Sequence, residues 1–182
     1  MTDSKTKTEI AILDAGFEVF SANASAALAD VAERAGGGRA TLHRHFASRF
    51  VLLVALAKVA MDELDAALAT ATADATSYTE GLQMALFAVI PLAQRQMFLS
   101  TVPIEADADL AARYAADQQE TLETVVAGQK EGGFDPNIPP EWIVQAYQHL
   151  IYAGWTMVAQ GEATPKQAAE LAWTTLTKGM SA

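Results

Sequence analysis

Three consecutive glycines, Gly36-Gly37-Gly38, separate two apolar stripes that are each too short to stand alone. Leu28, Val31, Ala32 and Ala35 precede them at i, i+3, i+4 and i+7, and Leu42 and Phe46 follow at i and i+4. A helix cannot run through three glycines without losing roughly 1 kcal/mol at each. Helices this short hold only by burying their faces against neighbours. The local pattern is therefore two short helices folded across a tight turn, a helix-turn-helix.

The helical period continues on both sides. Ile10, Leu13, Phe17 and Phe20 trace one face of a helix predicted over residues 8–21. A polar break over 21–25 follows, with Ser25 as the expected cap of the second helix. Ser48 is placed to cap a fourth, longer helix carrying Val51, Leu52, Leu53, Leu56, Val59, Ala60 and Leu64, which fades into the Ala/Thr-rich stretch 69–76. Five more helices are predicted over 79–90, 92–101, 107–130, 140–160 and 165–178, with breaks at Pro91, Pro103 and the Gly/Pro-rich stretch 132–140. Thr164, Pro165 and Gln167 form a capping-box pattern for the last of them. Ala is spread throughout and long Val/Ile/Thr alternations are absent, so the expected class is all-α with nine helices.

The formal charge of −10 is unevenly placed. Acidic and basic residues balance over the first fifty positions, so the remainder carries the whole deficit. Between Arg34 and Arg49 there are four arginines and no Asp or Glu, a cationic stretch on which a polyanion could land. With no cysteine, thiolate chemistry and sulfur-ligated metals are excluded. His43 and His45, two apart on a helix, lie about 200° round from each other and cannot share one ion. No metal, no cofactor and no catalytic residue is expected, since His-Glu-x-x-His, Gly-x-Ser-x-Gly and phosphate-loop patterns are all missing. The polar opening and the shortness of the densest apolar run, 50–57, lead us to expect a cytoplasmic chain.

The stretches Ile10-Ala-Ile-Leu-Asp-Ala-Gly-Phe-Glu-Val-Phe20, Leu28-Ala-Asp-Val-Ala-Glu-Arg-Ala-Gly36, Arg39-Ala-Thr-Leu-His-Arg-His-Phe46 and Ser48-Arg49 together resemble the DNA-binding head of the tetracycline-repressor (TetR) family. The resemblance covers the first quarter of the chain. It implies a helix-turn-helix made by the second and third helices, a linking fourth helix, a divergent sensing body and dimerisation through the last two helices. The sequence departs from the family pattern where Gly37 replaces a usual valine, Gly38 a usual capping serine, His43 the commonest tyrosine and Phe50 a usual acidic residue, and in a short first inter-helix loop with Asn23 near the usual glycine. The domains expected are a DNA-binding head over 1–48 and an effector-binding and dimerisation body over 49–182.

Winding the third helix at 100° per residue puts Leu42 and Phe46 inward and turns Arg39, Ala40, Thr41, His43 and Arg44 outward. Such a set suits a major groove, where Arg can take guanine O6 and N7 and small side chains can touch a thymine methyl. Arg49 matches the family's basic phosphate contact, at a helix start where backbone N–H groups also favour phosphate. Lys5 and Lys7 lie on a short polar tail before the first helix, which either reaches a groove or phosphate or only solubilises the chain.

In the body, family analogy assigns the dimer interface to Ile143, Tyr147, Leu150, Gly154 and Val158 of the eighth helix and Leu171, Ala172, Thr175 and Leu176, with Ala168, of the ninth. Met84, Phe87, Met97, Phe98, Tyr114, Trp142 and Trp155, with Gln94, Gln118, Gln145 and His149 as polar partners, are the candidates for an effector pocket. Sparse cations in the body (Arg95, Arg113, Lys130) favour a neutral, apolar or cationic effector. The function expected is a ligand-responsive repressor that binds a near-palindromic double-stranded operator as a homodimer and is released by a small molecule. The alternative is a helical dimeric interaction protein whose DNA-binding head is weakened at the glycine turn.

Overall fold

A computed structural model of the chain describes residues 7–179. These form nine α-helices: α1 (Lys7–Ala22), α2 (Leu28–Arg34), α3 (Arg39–His45), α4 (Arg49–Ala71), α5 (Tyr78–Val89), α6 (Ala93–Leu99), α7 (Ala108–Lys130), α8 (Pro140–Ala159) and α9 (Pro165–Lys178). Two short 3-10 turns, Ile90–Leu92 and Ile104–Ala106, interrupt them, and the described residues contain no strand. The all-helical class and the helix count are as the periodicity predicts.

Most starts have a local cause. The hydroxyls of Ser48, Ser77 and Thr164 and the carboxylate of Asp107 accept from the N–H of Val51, Glu80, Gln167 and Leu110, three residues on in each case. Gln167 Oε1 reaches back to the Thr164 N–H at 3.0 Å, completing the capping box. One expected cap is corrected. The residue before α2 is Ala27, whose N–H is taken by Asp30 at 2.8 Å, while Ser25 bonds to Asn23 instead. Asp30 lies inside the helix and serves from there.

Two apolar clusters organise the fold. The first joins Ile12, Leu13, Phe17, Phe20, Val31, Leu42, Phe46, Leu52, Leu56 and Met61 from α1–α4 to Phe98 of α6 and Leu110 of α7. The second joins Leu82 and Leu86 of α5, Ile90, Val125 of α7, Tyr147 and Ile151 of α8, and Ala168 and Ala172 of α9. The spine between them is α4: its first half is buried in the first cluster, and Leu64 and Leu68 flank the second. In α1 the inward face is set by Ile12, while Ile10, expected inside, is 47% exposed. Pro91 lies inside a 3-10 turn rather than at a simple break, so α6 begins at Ala93.

The first cluster is not closed by the head alone. Phe98 sits edge-on to Phe17 (centroids 5.5 Å) and stacks on Phe20 (6.4 Å). Arg95 lies over the Phe17 ring at 4.5 Å, approaches Asp14 at 3.7 Å and pairs with Glu63, and buried Gln96 donates to the Ala60 carbonyl at 3.2 Å. One short body helix thus grips α1 and α4 together.

Candidate nucleic-acid interface

The turn between α2 and α3 has defined geometry. Gly36 takes φ +70°, the left-handed conformation that suits glycine, and the chain closes with Gly37 N–H on the Ala32 carbonyl (2.9 Å) and Gly36 N–H on Glu33 (3.0 Å). This is the Schellman ending, in which the position of Gly37 normally adds an apolar contact back to that of Ala32. Gly37 has no side chain to give it. A small hollow of about 20 Å³ remains there, lined by Ile12, Ala32, Ala35, Gly37, Gly38 and Leu42 among others. Gly38 precedes α3 in an extended conformation with no side-chain cap.

From that turn α3 projects as its winding predicts except at Thr41, expected outward, which instead lines the small hollow beside Ile12 and Leu42. Leu42 and Phe46 are buried, Arg39, Ala40, His43 and Arg44 are exposed, and Thr41 is half-buried. Arg44 does not hang free: its Nη2 donates to Thr41 Oγ1 at 3.1 Å and its Nε to the Ala40 carbonyl at 3.4 Å. Arg39 and His43 rim a larger hollow of about 240 Å³ whose floor is Ala27, Leu28, Ala29 and Leu42.

The four arginines of the cationic stretch divide into two uses. Arg34 pairs with Glu18 of α1 at 2.5 Å. Arg49 is turned inward: its guanidinium donates to the carbonyls of Ala24 and Ala26 and lies over the Phe20 ring at 4.4 Å. Arg49, expected at a phosphate, is thus half-buried and already bonded to the chain's own backbone in the absence of DNA. Arg39 and Arg44 keep exposed side chains, with His43 between them. Lys7 opens α1 and is exposed, and Lys5 lies outside the described residues.

In the body, the side of α8 expected at the dimer interface is largely buried inside the single chain. Ile143, Tyr147 and Gly154 of α8, and Ala172 of α9, are buried within the single chain. Tyr147 donates its hydroxyl to the Leu82 carbonyl at 2.9 Å, and burial keeps its phenol protonated well beyond the ordinary range. A Cβ on Gly154 would lie 2.9 Å from Ile90 Cδ1 and 3.7 Å from Ala168 Cβ, so this glycine, expected at the dimer interface, makes its close approach within the same chain. Leu150, Val158, Thr175 and Leu176 are half-buried, and of the expected interface residues Leu171 alone is exposed.

Several expected effector residues are instead outside. Trp142 is 70% exposed, and Gln145, His149 and Tyr152 share its side of α8 at i+3, i+7 and i+10. Tyr114 is exposed on α7, and Phe98 belongs to the head-side cluster. These corrections leave Met84, Phe87 and Met97 half-buried, and Gln118 bonded to Gln148 across α7 and α8 at 2.6 Å. Trp155 is committed to the Val89 carbonyl at 2.9 Å, and the Gln94 side chain lies outside those described.

Among the described residues no group of three or more His, Asp or Glu converges on a point, and no helix is long and apolar enough to cross a membrane. A three-helix head presenting a short, cationic third helix, joined by a long α4 to a helical bundle that packs back on it through α6 and α7, defines a helix-turn-helix protein.

Comparison with known proteins places it further. Residues 12–56 match the model of the bacterial regulatory proteins of the tetR family. The HTH-type transcriptional repressor LfrR of Mycolicibacterium smegmatis is 31% identical over 179 residues, 97% of this chain and 92% of that protein. The crystal structure of LfrR with proflavine superposes with a TM-score of 0.78 at 30% identity, covering 96% of this chain and 97% of that one. The structure of AibR with isovaleryl coenzyme A and operator DNA has a TM-score of 0.83 at 17% identity, covering 94% and 98%, a likeness of fold. The chain belongs to the TetR family of bacterial regulatory proteins.

Proposed function

We propose that the protein is a ligand-responsive transcriptional repressor acting in the cytoplasm, binding a near-palindromic operator as a homodimer and released by a small molecule. The observation that carries this is the exposed face of α3, where Arg39, Ala40, His43 and Arg44 stand outward over the buried Leu42 and Phe46. Arg44, braced by Thr41, is the guanine reader, and Arg39 and His43 at the rim of the neighbouring hollow take the sugar-phosphate backbone. Residues 1–48 form the DNA-contacting unit and 49–182 the sensing and dimerising one. In support of a regulatory role, the relative LfrR is an HTH-type transcriptional repressor.

The dimer face is the outer side of α8 and α9: Trp142, Gln145, His149 and Tyr152 with Leu171, an aromatic and apolar stripe that one subunit leaves uncovered. The effector site lies among α5–α8, with Met84, Phe87, Met97 and Gln118 as its remaining candidates. The effector is neutral, apolar or cationic. In support, Arg113 is tied to Asp62 and Asp65 at 2.7 and 2.6 Å and Arg95 to Glu63 and Asp14, so neither guanidinium is free to meet an anion. LfrR solved with proflavine is an example of a relative that holds a small molecule.

The test is selection of a randomised duplex pool on the purified protein at near-physiological salt, then titration of the selected duplex against added salt. A palindromic product with a steep salt slope is expected. No enrichment would favour the interaction-protein alternative, for which the unfilled hollow at Gly37 is the supporting observation.

A further inference from the structure

We infer that operator binding is proton-linked through His43: its imidazole takes up a proton when α3 meets DNA, so operator affinity rises as the solution becomes more acidic. The inference rests on the DNA-binding reading above and adds a regulatory input to it. Its basis is the place of one side chain. His43 is exposed on the outward side of α3, stands between the exposed Arg39 and Arg44, and rims the hollow of about 240 Å³ floored by Ala27, Leu28, Ala29 and Leu42. A sugar-phosphate strand laid along that rim meets guanidinium groups and an imidazole together.

The free chain offers this imidazole no anionic partner, and DNA brings one. On α3 its charged neighbours are Arg39 and Arg44, with His45 half-buried beside Phe46. From α2, Asp30 is bonded to the Ala27 N–H at 2.8 Å, Arg34 is paired with Glu18 at 2.5 Å, and Glu33 is exposed. α1 meets α3 through Thr8 and Ile12 on the Thr41 side, where Lys7 and Glu9 are its charged residues. The link to α4 is uncharged up to Arg49, which faces Ala24, Ala26 and Phe20. Residues 34–61 contain no Asp or Glu, and among the described residues no carboxylate pairs with His43. An imidazole ordinarily changes charge at about pH 6.5. A phosphate beside it favours the imidazolium, which donates from both ring nitrogens, and so raises the pH at which the bound group loses its proton. The extra affinity is therefore full below the transition of the free group and is lost as pH rises through that of the bound group. The tyrosine usual at this position ionises at about 10 and gives no linkage in this range.

The experiment selects a duplex at both ends of a range from about pH 8 to about pH 6, then follows operator affinity and its salt slope across it for wild type, His43→Gln and His43→Tyr. Protein is kept at concentrations where ultracentrifugation shows a dimer throughout. For a phosphate that favours the imidazolium about tenfold, wild type should gain about fivefold per subunit over the range. Its salt slope should also steepen toward acid by about one contact per subunit. His43→Gln should lose both increments, and His43→Tyr should bind operator at either pH without them. His45, His149 and the amino terminus are common to all three proteins, so the difference from wild type isolates His43. A second readout needs no altered protein beyond an assignment: the ring signals of His43, identified by their loss in His43→Gln, should titrate at higher pH with operator than without. Ring signals that titrate alike in both states, or pH profiles that run parallel in wild type and His43→Gln, would overturn the inference and leave the repressor reading standing. Failure of wild type to select a duplex at either pH would overturn both.

Discussion

At the residue scale, the chemistry of the head comes down to which arginines are free. Arg34 and Arg49 have partners in Glu18 and in backbone carbonyls, while Arg39 and Arg44 keep exposed side chains, and Arg44 is the base reader proposed above. Arg44→Ala should abolish operator preference while leaving the dimer intact, checked by repeating the duplex selection beside size-exclusion chromatography. Unchanged selectivity would reassign the reading face. Gly37 makes a second residue-level case. A Cβ there meets nothing nearer than the Ala32 carbonyl at 4.0 Å, and its φ is not in the left-handed region. Gly37→Ala should therefore stabilise the protein by about 0.4–1 kcal/mol, chiefly by restricting the unfolded chain. A raised thermal midpoint is the expected measurement, and a lowered one would show that the turn needs glycine here as it does at Gly36.

At the element scale, helix ends decide more than helix interiors. The start of α5 is held by its own Ser77 and also by Glu131, at the end of α7, whose carboxylate accepts from the N–H of Tyr78 (3.1 Å) and Thr79 (2.7 Å) and from the Thr79 hydroxyl (2.8 Å). Gly133 is what lets these ends meet, since a Cβ there would fall 1.8 Å from Thr79 Oγ1. The Thr79 N–H and then its hydroxyl hold the Glu131 carboxyl below its ordinary range, and Thr76 does the same to Glu80. A depressed carboxyl contributes stability above its unfolded value, about 4.3, and loses it as pH falls through the folded one. Glu131→Gln should thus lower the thermal midpoint near neutral pH, with the gap from wild type closing in acid. A gap independent of pH would mean that the cap works without its charge.

At the scale of the whole molecule, α8 has two faces with different work. Its inner face, through Tyr147, Gly154 and Ile151, closes the body's own core, its outer face leaves Trp142 and Tyr152 uncovered, and Leu171 of α9 is exposed as well. Leu171→Asp places a charge on that outer surface without touching the subunit core. It should shift the protein from dimer toward monomer in analytical ultracentrifugation while helical content is kept, and it should weaken operator binding through loss of the second half-site. A dimer as tight as wild type would move the interface elsewhere.

The nine helices, the glycine turn, the outward side of α3 and the capping box at Thr164 were legible in the residues, because each depends on spacing along one helix or on contacts a few positions apart. Ile10, Ser25 and Arg49 were not, since neighbours from elsewhere in the fold compete for those places: Ile12 takes the core, Asp30 the cap, and three partners from α1 and its following connection take the guanidinium. The two sides of α8 show the same limit at greater distance. Periodicity marks an apolar stripe but not what covers it, and here α5, α9 and Ile90 of the same chain cover the stripe assigned to a partner. The sequence alone determined the family and the local helical structure. Tertiary packing decided which faces remain open, because burial and long-range hydrogen bonds belong to pairs of elements and have no signature within either one.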